Sequence, residues 1–115
     1  MTHFQTFAHL STIDLGAPRP KPTTLTGNQF EASVALFKSN DGLMEIGVWE
    51  CTPGRWRRQI VAQEFCHFIQ GRCTFTPDNG ETLHIEAGDA LMLPANSTGI
   101  WDIQETVRKT YVLIF

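Results

Sequence analysis

The sequence predicts an all-β domain, a closed barrel or double-sheet roll, on three observations. From Glu31 onward, short segments rich in β-branched and aromatic residues follow one another. Clusters of Pro, Gly, Asn and Asp punctuate them at regular intervals, as tight turns require. No long stretch carries helical periodicity and no internal repeat competes with the strand pattern.

In chain order, the first 30 residues stand apart. Ala17 to Thr26, APRPKPTTLT, holds three of the six prolines, each fixing φ and removing a backbone donor. Residues 1–30 are therefore expected to form an extended arm, and residues 31–115 the barrel. Phe4, Phe7, Leu10 and Ile13 recur at helical spacing and predict one or two helical turns. Such an aromatic-bearing arm should pack either on its own barrel or on a partner subunit. About eight strands follow: EASVALFK, LMEIGVWEC, EFCHFIQG, RCTFT, TLHIEA, ALML, IWDI and TYVLIF. The turns between them include Asn40-Asp41-Gly42, Pro53-Gly54, Pro77-Asp78-Asn79-Gly80, Ala87-Gly88-Asp89 and Pro94-Ala95-Asn96-Ser97. The closing Tyr111-Val112-Leu113-Ile114-Phe115 is too apolar for a loose tail and reads as a paired strand.

Composition narrows the function classes. A chain of 115 residues with 42% hydrophobic and 18% charged residues fits one globular domain. Its formal net charge of -3 leaves no electrostatic footprint for nucleic acid. No apolar run approaches the ~20 residues of a membrane-spanning helix. The start, MTHFQTFAHL, lacks a basic leader and an apolar signal core. Cys51, Cys66 and Cys73 have no metal-finger spacing, so reduced thiols in a cytoplasmic protein are expected.

Two stretches resemble the paired motifs of the cupin superfamily. Glu64 and Gly71 keep the E-x6-G spacing of the first, G-x5-H-x-H-x3,4-E-x6-G, with Gly54 near its leading glycine, and Gly88 and Pro94 fit the second, G-x5-P-x-G-x2-H-x3-N. The text GVWECTPGRW, EFCHFIQGRCTFT, AGDALMLPANSTGIWDI and ETVRKTYVLI is similar to small single-domain cupins of the (S)-ureidoglycine aminohydrolase type, over roughly residues 43 to 115. The resemblance implies a cupin jelly roll, a conical barrel of two antiparallel sheets, with the site inside its mouth and a homodimer as the assembly. It also exposes a departure. The histidines of the first motif fall at Arg57 and Gln59, or at Arg58 and Ile60, and that of the second at Gly99. The manganese ligands of the aminohydrolase fall at Arg58, Ile60, Glu64 and Ile100. One carboxylate does not make a divalent-metal shell, so no metal and no other cofactor are expected.

Candidate site residues follow from strand alternation. Glu64, Cys66 and Phe68 share one face, which the motif match turns inward; Phe65 and His67 take the other. An inward carboxylate is either half of an ion pair or an acid/base with a raised pKa. Lys109 and Tyr111 alternate in phase and are expected to point inward beside Glu64, with Arg108 opposite. A Tyr at position 111 resembles a pocket tyrosine of the aminohydrolase family. Trp101 lies two residues past the lost histidine position, on the same face, and should wall the pocket; Trp56 lies near the mouth, and Trp49 reads as core. From the run Arg55-Trp56-Arg57-Arg58, one of Arg57 or Arg58 should reach a ligand. Cys66 is a further pocket residue, without an in-phase histidine to activate it as a nucleophile. His67 and His84 fall outside this set.

The functional expectation is a barrel that binds a small polar metabolite, a ureido, amine or carbonyl compound. Metal-independent acid/base chemistry by Glu64, Lys109 and Tyr111 would accompany it if the protein is an enzyme. Two rivals stand beside it: a metal-dependent ureidoglycine aminohydrolase with rearranged ligands, and a non-enzymatic sensor or structural dimer with a self-filled barrel.

Overall fold

The computed structural model describes residues 3–115, and these contain strands and turns but no helix. The nine strands are β1 (Arg19–Pro20), β2 (Thr24–Thr26), β3 (Phe30–Lys38), β4 (Met44–Cys51), β5 (Gly54–Ile60), β6 (Gln63–Pro77), β7 (Leu83–Glu86), β8 (Ala90–Leu93) and β9 (Ser97–Ile114). All pairings are antiparallel. Two pairs of expected strands run together as the long β6 and β9, the segment after Pro53 forms β5, and the arm contributes β1 and β2.

β9 is the central strand. β6 lies along one side of it from Gln63 opposite Ile114 to Pro77 opposite Gly99. On its other side β4 pairs with the C-terminal half, Met44 opposite Ile114 through Cys51 opposite Val107, and β5 with the N-terminal half, Gly54 opposite Ile103 through Ile60 opposite Ser97. β3 and then β1 extend the sheet beyond β4, β2 extends it beyond β5, and β7 and β8 both pair with β6. One hydrogen-bonded sheet thus bends into two facing halves, which are the two antiparallel sheets of the conical barrel.

The bend has a local cause. The β6–β9 register shifts repeatedly between Phe68 and Cys73, as β-bulges do. Inward residues of β6 are even-numbered through Phe68 and odd-numbered from Cys73. Gly71 sits in the bulge with φ +81°, and a Cβ there would collide with the carbonyl oxygen of Thr106. Only glycine satisfies both conditions. Inside the bend, Phe68, Phe75, Ile85, Leu93, Trp101, Ile103, Val107 and the three cysteines form the buried core.

The arm closes on the chain's own barrel. Arg108 Nη1 donates to the carbonyls of Leu10 and Ile13, both at 3.0 Å, and Gln70 Nε2 donates to that of Ser11 at 3.1 Å. The expected helical turns do not form. Thr12 and Ile13 both donate to the His9 carbonyl, and Gly16 N donates to Asp14 Oδ1 and turns the chain away. Phe4 is 92% exposed and Phe7 is exposed too; Leu10 and Ile13 alone are half-buried, too little to offset helix nucleation.

The outer face keeps an apolar row. Met92, Phe65, Val112, Ile46 and Phe37 are direct cross-strand neighbours from β8 to β3, and Met92 and Phe65 are exposed. Among the described residues, no helix is long and apolar enough to cross a membrane.

The bulge makes a contrast that chemical denaturation can measure. Gly42 also has positive φ, but a Cβ there meets open space. Gly42→Ala should cost about 1–2 kcal/mol from backbone strain alone. Gly71→Ala adds the collision with Thr106 and should cost roughly 2–5 kcal/mol or prevent folding. Equal losses would contradict the role of this bulge.

Candidate functional site

The inner faces of the two halves enclose a cavity of about 410 Å³ that opens between them. β4 contributes Trp49 to its wall, β5 contributes Trp56 and Arg58, β6 contributes Glu64, and β9 contributes Trp101, Lys109 and Tyr111. The link between β1 and β2 adds Lys21 and Thr23. Alternation delivers these side chains: Trp56 and Arg58 are two apart on β5, as are Lys109 and Tyr111 on β9.

A charged cluster forms the floor. Glu64 Oε1 accepts from Arg58 Nη2 at 3.0 Å, and its Oε2 lies 2.8 Å from Lys109 Nζ. All three side chains are buried. Burial pushes the Glu64 carboxyl up, but Lys109 and then Arg58 outweigh it and hold the group below its ordinary value. Burial likewise pulls Lys109 down, and Glu64 overrides this and raises it. Both groups therefore carry charge at neutral pH, and Glu64 is not a carboxylic acid with a raised pKa. Lys109 Nζ also sits over the rings of Trp49 at 4.8 Å and Trp101 at 5.2 Å. The remaining terminal nitrogen of Arg58, Nη1, is closed to solvent and meets no hydrogen-bond acceptor among the described residues.

The walls are aromatic. Trp56 stacks on Trp101 with centroids 5.9 Å apart and planes 19° apart, and Trp49 tilts against Trp56 at 5.6 Å. Trp49 Nε1 donates to Glu31 Oε1 at 3.0 Å. The same oxygen holds Lys21 Nζ at 3.4 Å, and Lys21 lies 4.4 Å over Trp56. Tyr111 donates to Glu45 Oε2 at 2.6 Å. Burial, with Glu45 beside it, pushes this phenol above its ordinary value and keeps it protonated. Its ring lies across Gly47, where a Cβ would collide with the phenol.

Seven of the eight expected residues line one cavity: Glu64, Lys109, Tyr111, Trp56, Arg57, Arg58 and Trp101. Arg57 and Cys66 differ from the other six. Arg57 touches the rim, but its guanidinium turns to solvent, where Nη1 lies 2.8 and 2.9 Å from the two carboxylate oxygens of Asp78. The alternation that turns Arg58 inward turns Arg57 outward. Cys66 shares the Glu64 face but lies below the floor, wholly buried, with burial pushing its thiol up to about 11. A short side chain at that depth does not reach the wall, and a protonated thiol is no nucleophile. Trp49, expected in the core, is a half-buried cavity wall.

Three charged contributors went unforeseen. Glu45 is in phase with Gly47 and Trp49, and Glu31 with Ser33, so alternation carried a signal for both. Lys21, in the proline-rich arm, carried none. Among the described residues, no group of three or more His, Cys, Asp or Glu converges as a metal-holding cluster.

Comparison with known proteins fixes the family. The EutQ-like cupin domain profile matches residues 38–111, and the chain belongs to that family. A putative ethanolamine utilization protein EutQ from Salmonella typhimurium is 19% identical, with a TM-score of 0.68 over 84% of this chain and 77% of its own. The EutQ protein of Clostridium difficile is 16% identical, with a TM-score of 0.72 over 92% and 83%. A DUF861-family protein of unknown function from Pseudomonas syringae pv. tomato is 25% identical, with a TM-score of 0.73 over 85% of this chain and 42% of its own. No curated protein matches. The two EutQ likenesses establish the cupin fold.

The cluster predicts an asymmetric mutational response. Glu64→Gln leaves two buried cations without their carboxylate and should cost about 3–5 kcal/mol, a fall in Tm of roughly 10–25 °C. The triple variant Glu64→Leu, Arg58→Met, Lys109→Met removes every charge at similar volume and should return to within about 2 kcal/mol of the parent. A Gln variant as stable as the parent would show that the cluster is not buried as described.

Proposed function

We propose that this cupin binds a small polar metabolite in the barrel cavity, through charge and hydrogen bonds and without a metal. The carrying observation is the floor: Glu64, the one match among the motif's metal ligands, has both oxygens engaged by Arg58 and Lys109. A cation placed there would face two fixed positive charges, and neither partner offers a lone pair at neutral pH. The donor set does not fit a divalent ion. The finer aminohydrolase reading would need ligands at Arg58, Ile60 and Ile100, none of which can serve, so it is not adopted.

The cavity supports a ligand over a self-filled barrel. Its volume falls within the ~300–1,000 Å³ of small-molecule sites, and aromatic walls around a few convergent polar groups are what such sites use. Binding fits better than turnover. Glu64 is paired with two cations that weaken it as a base, and Tyr111 is protonated and donates to Glu45, so neither is poised to take a proton.

All three tryptophans of the chain line this cavity, so intrinsic fluorescence reports on it directly. In chelator-treated protein, a panel of small carboxylic acids, amides, ureido compounds and amines should contain members that change tryptophan emission saturably. Ser33→Phe, which fills the cavity from β3 without touching the floor, should abolish the change. Binding that appears only after manganese is added, or a panel with no saturable member, would overturn this reading.

A further inference from the structure

Resting on that reading, we infer that the cavity is built for a monoanionic carboxylate, held by the unspent donors of Arg58 and Lys109, with an apolar body against the tryptophans. The charges around the cavity decide the sign. Lys21 is matched by Glu31, Lys38 by Glu45 and Arg57 by Asp78. The floor alone is unbalanced, with two cations, Arg58 and Lys109, against one carboxylate, Glu64. One positive charge is therefore left over on buried side chains, and such a charge stays costly until an anion meets it.

The donors agree with the charge count. Arg58 spends Nη2 on Glu64 and leaves Nη1 without an acceptor. Lys109 spends one of its three N–H groups on Glu64, and the aromatic faces around it supply no lone pair. A carboxylate accepts from two donors at once and returns the floor to neutrality. A dianionic phosphate would overshoot, a neutral amide would leave the excess charge in place, and an amine would add to it. Because Nη1 is sealed from solvent, its bond to the ligand forms as the Arg58 head shifts toward the cavity. The rest of the ligand meets Trp56, Trp101, Ile60 and Leu113, which favour a flat or aliphatic body.

Three probes share one body and differ in charge: phenylacetate, phenylacetamide and phenethylamine. Titrated into chelator-treated protein at pH 7, with tryptophan emission and calorimetry as readouts, phenylacetate should bind at least tenfold tighter than phenylacetamide, and phenethylamine should not bind. Arg58→Met leaves Lys109 and Glu64 as a balanced pair, so the fold should persist while the preference for carboxylate over amide falls to about one. Amide binding equal to or tighter than carboxylate, a tightest panel ligand without a carboxylate, or a preference unchanged in Arg58→Met would overturn this inference and leave the metal-free cavity standing. No saturable binding by any probe or panel member would overturn both.

Discussion

The buried contact of Arg58, Glu64 and Lys109 is the constraint on which the interior depends. It joins β5 from one half of the bent sheet to β6 and β9 of the other. The two cations stay in the core because Glu64 pairs with both, leaving one positive charge in excess. At ~3 Å and an effective dielectric of ~20, each pair attracts by roughly 5 kcal/mol, of the same order as the desolvation penalty per ion. The cluster is thus near break-even as a whole and costly to leave half-built. This balance fixes where the halves meet and keeps the cavity floor polar beneath aromatic walls.

The fold sets up the contact through two long strands and their bulge. β9 carries Trp101 on its first half and Lys109 on its second, and the bend directs both to one interior. β6 changes the parity of its inward residues at Gly71, so Glu64 and Phe75 both face inward although their numbers differ by an odd step. Without the bulge, one half of β6 would turn its apolar face to water. The arm adds little to this core, yet it brings Lys21 over Trp56 and narrows the mouth.

Much of this was legible in the residues. Turn chemistry and short apolar segments gave the all-β architecture, and the motif spacing gave the cupin barrel. Period-two alternation assigned Glu64, Lys109 and Tyr111 to the interior and left the choice between Arg57 and Arg58 open, since either motif spacing fits. The ionisation of Glu64 was not legible, because it depends on two cations that arrive from other strands. Glu45 reaches Tyr111 only after β4 and β9 pair in register. Lys21 was invisible because its position follows from how β1 and β2 dock. The apolar spacing of the arm misled, since periodicity predicts a helix only where a surface waits to bury it.

The ionisation state of Glu64 is the sharpest test of the buried cluster. In an acid titration followed by the carbon-13 shift of its side-chain carboxyl, the midpoint should lie below the ordinary 4.5. Because the folded value lies below the unfolded one, the stabilisation from this group is present at neutral pH and is lost as pH falls through the folded midpoint. A midpoint above 4.5 would mean that burial outweighs both cations and that the carboxyl is an acid in an apolar pocket, contrary to the structure described.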